Sequence, residues 1–137
     1  MIMKKIFNFL LFSFCILLFC GCEKNIDNII TMRVSPNVIM SKDTTSINLI
    51  IENHTNRDFN YGHGYSLEYF YNGDWNQVPS GSGLLRLITY ELLYLQAKQQ
   101  SIRLDRAYFD RPGRYRIIKD FQSHHKKYIV YAEFEVK

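Results

Sequence analysis

Apolar and polar residues alternate in short runs along this chain, and turn signals interrupt them at intervals of roughly 8–12 residues, a rhythm that constrains it to short strands. The clearest run is 45–53, where Ile47, Leu49 and Ile51 share one face and Asn48 and Glu52 the other; only Ile50 breaks the pattern. A first strand is expected over 29–35, closed by Pro36, which has no N–H to give to a ladder. Ser41-Lys42-Asp43 is turn chemistry. A polar turn at 53–58 leads into Phe59-Asn60-Tyr61, after which Gly62 and Gly64 bracket His63 and ask for a bulge or sharp bend. Strand 65–71 then meets Asn72-Gly73, a dipeptide that accepts positive φ at both central positions of a hairpin, and returns through Trp75-Asn76-Gln77-Val78.

Pro79 and Ser80-Gly81-Ser82-Gly83 open a loop. Residues 84–95 fit helical spacing (Leu84, Leu87, Ile88, Leu92, Leu95) and also alternation (Ile88, Tyr90, Leu92). The expectation is one strand near 88–94 with a turn of helix before it. Ile102 and Leu104 share a face of a strand at 100–105, and Asp110-Arg111-Pro112-Gly113 is a tight turn. Strands 115–121 and 128–136 close the chain, joined by the polar loop His124-His125-Lys126-Lys127.

About eight short strands with no long helix give an all-β fold, an antiparallel β-sandwich, although sequential hairpins can also close a barrel. The sandwich is preferred because Pro112-Gly113-Arg114-Tyr115 puts a tyrosine just past a turn at the start of the penultimate strand. Immunoglobulin-like sandwiches keep a tyrosine corner there, its hydroxyl bonded to upstream backbone. The expected core is Ile47, Leu49, Ile51, Leu67, Trp75, Ile102, Leu104, Tyr115, Ile117, Val130 and Phe134.

The beginning of the chain speaks of compartment. Lys4 and Lys5 precede an apolar run over 6–19 that ends in Gly21-Cys22, the layout of a secretory signal. The run is shorter than the roughly 20 residues a membrane-crossing helix needs, so a retained helix is the poorer reading. The cysteine directly after a small residue makes the segment look like a bacterial lipoprotein signal. Phe19 and Cys20 depart from the Leu and Ser or Ala commoner at those positions. Cleavage is expected between Gly21 and Cys22, leaving Cys22 as the lipidated first residue, 22–28 as a polar tether and 29–137 as one domain. Glu23 after it does not favour inner-membrane retention. The protein is then exported and lipid-anchored to the bacterial cell envelope, at the outer membrane where there is one.

Loss of Lys4 and Lys5 lowers the formal charge from +4 to +2, too little to argue for nucleic acid as a partner. Cys15 and Cys20 leave with the signal, so no cysteine pair remains for a disulfide, and stability must come from packing.

With the strands in place, Tyr61-Gly62-His63-Gly64-Tyr65-Ser66-Leu67-Glu68, Asn72-Gly73-Asp74-Trp75 and Val78-Pro79 resemble the bacterial immunoglobulin-like domain of small secreted and lipid-anchored proteins. Pro112-Gly113-Arg114-Tyr115-Arg116-Ile117-Ile118-Lys119 and Tyr131-Ala132-Glu133-Phe134-Glu135-Val136 match its second half. The fit is poorest over 84–100, where the usual Pro-Gly or Pro-Asn turn is missing. The resemblance implies the sandwich fold and supplies neither an activity nor catalytic residues.

The residues themselves offer little chemistry. His54, His63 and the His124–His125 pair all fall on expected loops, with no His-x-x-His or HExxH spacing, so no metal site and no cofactor are assigned. His63 with His124 is the pair to suspect if a metal bound, since loops at one end of a sandwich can converge. Ser80 and Ser82 lack a nucleophile elbow, and nothing specifies a base within reach, so the chain is read as a non-enzyme. Glu133 and Glu135 read as a solvated face or as partners of Arg114 and Arg116. Arg111, Arg114, Arg116 and Lys119, with Lys126 and Lys127, read first as the polar outer face of two strands and second as a patch for an acidic partner or phosphate head groups. Thr44 in Asp43-Thr44-Thr45 resembles an O-glycosylation site of some gut bacteria, and Asn53-His54-Thr55 is a sequon only in a host that uses the eukaryote-like N-glycosylation pathway.

The expected function is a monomeric, non-enzymatic binding or structural module at the envelope. It would contact protein or glycan through a sheet edge or through loops carrying His63, His124, His125, Lys126 and Lys127. An inhibitor of an extracellular hydrolase, using the 80–83 or 124–127 loop as a plug, is the first alternative, and a periplasmic metal-handling protein the weaker second.

Overall fold

The computed structural model describes residues 29–40, 46–79, 88–103 and 111–137. The signal segment, Cys22, Thr44, the 80–83 loop and Leu104 lie outside them, as do the expectations placed there. The described residues form ten strands and no helix: β1 Ile30–Ser35, β2 Val38–Ile39, β3 Ser46–Asn53, β4 Phe59–Gly62, β5 Ser66–Tyr71, β6 Asp74–Val78, β7 Thr89–Leu92, β8 Ala97–Arg103, β9 Gly113–Ser123 and β10 Lys126–Val136.

Two sheets face one another. The first has the order β1-β3-β8; the second has β2-β10-β9-β4-β7, with β5 and β6 continuing beside β9. Pairing is antiparallel except where β2 runs parallel to the end of β10, Val38 opposite Glu135. That short strand was not foreseen; Pro36 ends β1 and residues 36–37 carry the chain across to the other sheet. The strand expected near 88–94 is confined to Thr89–Leu92, and the one expected at 100–105 starts earlier, at Ala97.

The core is what alternation dictates. Ile47, Leu49 and Ile51 of β3 meet Leu67, Tyr115, Ile117 and Phe134 across the sandwich, all buried, with Leu49, Ile51 and Ile117 fully so. Val130 is half-buried against this cluster. Tyr115 is 1% exposed, its hydroxyl donates to the Arg111 carbonyl at 2.8 Å, and its ring stacks on Phe134. Gly113 makes room beside it: φ is +146°, and a Cβ there would sit 2.7 Å from the Tyr69 ring.

Trp75 is the correction. It belongs to the outside, half-exposed, and the register gives the reason. Asn72 and Gly73 both have positive φ, which sets Phe70 directly opposite Trp75. Directly paired residues share a face. Leu67 and Tyr69 point inward, so Phe70 and its partner Trp75 point out.

Urea denaturation checks this ranking. Tyr115→Ala is expected to cost about 3–5 kcal/mol, the scale of a buried aromatic deletion. Trp75→Ala should cost only about 1 kcal/mol, the scale of a surface cation–π contact. The opposite order would contradict the placement.

Candidate functional site

Two features of the second sheet set its character, and β9 supplies both. On β9, Tyr115, Ile117, Lys119, Phe121 and Ser123 point inward and are buried, while Arg114, Arg116 and Asp120 point out. Lys119 is therefore no part of a basic outer face. It is 2% exposed, and its ammonium donates to the carbonyls of Gly62, His63 and Gly64 at 2.7, 3.2 and 2.9 Å. The Tyr61 ring lies 5.3 Å from the ammonium.

Those carbonyls are free for Lys119 because the strand beside β9 is broken by a bulge. Tyr61 pairs with Phe121 and Ser66 with Ile118, so residues 62–65, four in all, stand opposite only 119 and 120. The bend signalled by Gly62 and Gly64 thus divides one long strand into β4 and β5. From the other sheet Gln100 adds a donor, its Nε2 to the His63 carbonyl at 2.9 Å. Beside the bulge lies an open cleft of about 300 Å³ bounded by Ser66, Ile118, Lys119 and Asp120.

Burial pushes the Lys119 ammonium down to about 8, against the opposing pull of Asp120. Burial and the neighbouring Tyr90 raise the Tyr61 hydroxyl above its ordinary value. Native Lys119 thus releases its proton near pH 8, whereas the unfolded chain holds it to about 10.5. Between those values the unfolded state binds more protons, and stability rises with pH. Above about pH 10 Tyr61 subtracts, because the native state then holds a proton that the unfolded state has lost.

The outer face of the same sheet carries aromatics and guanidinium groups in alternation. Arg116 lies 4.4 Å from the Trp75 ring and 4.5 Å from the Tyr131 ring, and its Nε donates to Glu68 Oε2 at 2.6 Å. Arg114 covers Phe70 at 4.9 Å and pairs with Glu133 at 2.7 Å. Of the two carboxylates expected to answer Arg114 and Arg116, only Glu133 does; Glu68 from β5 holds Arg116. Each charged head is held by both a ring face and a carboxylate. Tyr131 remains 48% exposed beside it.

The histidines do not gather. His63 sits at the bulge beside the middle of β9, its Nδ1 2.8 Å from the Tyr90 hydroxyl and its N–H on the Ile88 carbonyl at 2.8 Å. His124 lies beyond the end of β9, so the suspected His63–His124 pair is separated by the register. Among the described residues no group of three or more His, Cys, Asp or Glu could hold a metal. The expected four-residue loop 124–127 is shorter than read: only His124 and His125 turn, and Lys126 and Lys127 already pair with Ser123 and Gln122. Lys127 also meets Asp120 at 2.8 Å. Asn53 is 3% exposed, its Nδ2 donating to the Arg57 and Leu93 carbonyls at 2.7 and 2.9 Å, so the sequon asparagine is sealed in the folded domain.

Sequence parity had marked Lys119 as inward, in step with Tyr115, Ile117 and Phe121. Reading it as one of a basic cluster hid that signal.

With this geometry in view, the profile of the bacterial Ig-like domain family matches residues 27–135, and the chain belongs to that family. No match was found among curated proteins. Of solved structures, alkylpurine DNA glycosylase AlkC of Pseudomonas fluorescens, bound to DNA containing an abasic-site analogue, is similar at 16% identity and a TM-score of 0.38. The match covers 88% of this chain and 33% of that one, so the chain spans about a third of the glycosylase.

Lys119→Met, which keeps the stem and removes the donors, is expected to cost about 2–4 kcal/mol, because the Gly62 and Gly64 carbonyls lose their donor while that of His63 keeps Gln100. It should also abolish a rise in stability between about pH 8 and pH 10. A variant as stable as the parent, with the same pH profile, would contradict the assignment.

Proposed function

We propose that this chain is a lipid-anchored, non-enzymatic module of the bacterial cell envelope, held by acylated Cys22 and binding a protein or glycan partner as a monomer. What supports the binding role above all is the outward row of Trp75, Arg116, Tyr131 and Arg114, fixed by Glu68 and Glu133. Trp, Tyr and Arg are the residue types that dominate binding energy at protein interfaces. A pre-paired row loses little side-chain freedom when a partner arrives. An amphipathic ring edge beside a guanidinium also suits sugar hydroxyls, which need donors as well as apolar contact. The anchor rests on the Gly21-Cys22 junction after the apolar run, and the short polar stretch 22–28 then serves as tether.

The test uses the mature Cys22→Ser form as bait on envelope extracts. The partner it captures is expected to fall about tenfold with Arg116→Ala or Tyr131→Ser, while both variants stay folded. Equal capture by parent and variants would contradict a binding role for this face. In cells, labelled palmitate should attach to the parent and not to Cys22→Ser.

A further inference from the structure

The end of the sandwich opposite the Asn72-Gly73 hairpin gathers three turns, and the first described residue lies among them. The His54 N–H donates to the Ile29 carbonyl at 3.0 Å, and the Leu95 N–H to the Thr55 carbonyl at 3.2 Å. Ile29, the β3–β4 turn and the β7–β8 turn are thus laced together. The β9–β10 turn joins them, for Asp58, Leu93 and His124 line one shallow recess of about 260 Å³.

The β7–β8 turn is unusual for a soluble surface. Leu93, Tyr94 and Leu95 are consecutive and 43%, 62% and 73% exposed. Three adjacent apolar side chains in water are a patch, where scattered ones would need no account. The turn is nevertheless tied down by hydrogen bonds. Asp58 Oδ1 accepts the Tyr94 N–H at 2.8 Å and Gln96 Oε1 the Leu93 N–H at 3.0 Å. Leu95 is held at φ +52°, a conformation a branched apolar residue rarely adopts. Something other than the domain's own core rewards showing these side chains. Arg57, His124, His125 and Lys126 belong to the same end, with Glu52, Asp58 and Glu91 beside them, so the charge there is mixed and the exposed apolar turn carries the argument.

We propose that the Leu93-Tyr94-Leu95 turn is a membrane-docking knob that inserts into the head-group region of a phospholipid leaflet. The inference rests on Cys22 being the lipidated residue and deepens that reading. Seven residue steps separate Cys22 from Ile29, a reach of at most about 25 Å when fully extended. The end of the domain carrying Ile29 therefore stays close to the leaflet, and the knob is on that end. Tyr at the head-group level with Leu beneath it is the arrangement interfaces favour. A second copy or a soluble protein would have no such reason to meet this end.

The test couples mature protein through Cys22, its one cysteine, to a maleimide lipid in vesicles rich in phosphatidylethanolamine with some phosphatidylglycerol. Tyr94→Trp is the reporter; Trp75, near the opposite end, is the internal control. Emission of the Tyr94→Trp protein is expected to shift blue and to be quenched by brominated acyl chains, relative to the parent, whose Trp75 should be unaffected. Adding Leu93→Ser and Leu95→Asn, the latter tolerant of positive φ, should cut that quenching about threefold or more with the urea midpoint little changed. Quenching no greater at position 94 than at Trp75 overturns the knob. So does a blue shift that appears without vesicles as protein concentration rises, which would indicate a second copy. Because the tether is imposed chemically, failure here leaves cellular palmitate labelling intact, and failure of labelling leaves this result intact.

Discussion

The ammonium of Lys119, held by the carbonyls of Gly62, His63 and Gly64, is the contact on which the second sheet depends. A four-against-two bulge in the middle of a sheet removes ladder partners from several backbone groups at once, and a buried orphan carbonyl costs about 1–3 kcal/mol. A lysine answers this need well, with three donors at one point on a flexible stem. The burial is costly for the charge, which is why its proton is held less tightly than in water. Satisfied carbonyls win over desolvation because those of Gly62 and Gly64 would otherwise lose their donor together, while Gln100 would still serve His63.

From that contact the broader shape follows. The bulge lets one run of chain take two different neighbours, β7 beside β4 and β6 beside β5. The β5–β6 hairpin brings Phe70 and Trp75 to the outer face, where Arg114 and Arg116 of β9 meet them. Arg116 and Lys119 differ by three positions on one strand, hence by a face. Arg116 is partly exposed with rings on both sides; Lys119 is buried and, among the described residues, its ammonium meets three backbone carbonyls and the Tyr61 face. Parity alone turned two similar cations to opposite uses.

Most of the sandwich was legible from residue spacing. Runs such as Ile47-Leu49-Ile51, the Asn72-Gly73 turn and the Pro112-Gly113 corner are local signals, and local signals survive folding. What escaped depended on partners far along the chain. Trp75 looked like core because it is large and apolar, yet hairpin register put it outside. β2 is too short to show a pattern, and its pairing with β10 is set by where the chain crosses after Pro36. Lys119 was visible in phase with Tyr115 and Ile117 but was read by charge. The apolar Leu93–Leu95 run fits a strand or helix by spacing, because apolar residues are expected inside, whereas its turn is tied to Asp58 and Thr55, more than thirty residues earlier.

In the proposed reading, the end carrying the Leu93–Leu95 and histidine turns faces lipid, and the outer face of the second sheet, with Arg114 and Arg116, faces a partner. Both surfaces are displayed by a sheet whose middle is pinned by one buried cation. The most direct examination is NMR of the protein carrying ¹⁵N-labelled lysine. One ammonium should exchange slowly with water and titrate near pH 8, and Lys119→Met should erase that signal. If every lysine ammonium exchanged rapidly and titrated near its ordinary value, the pinned bulge would be contradicted, and with it the explanation of the sheet.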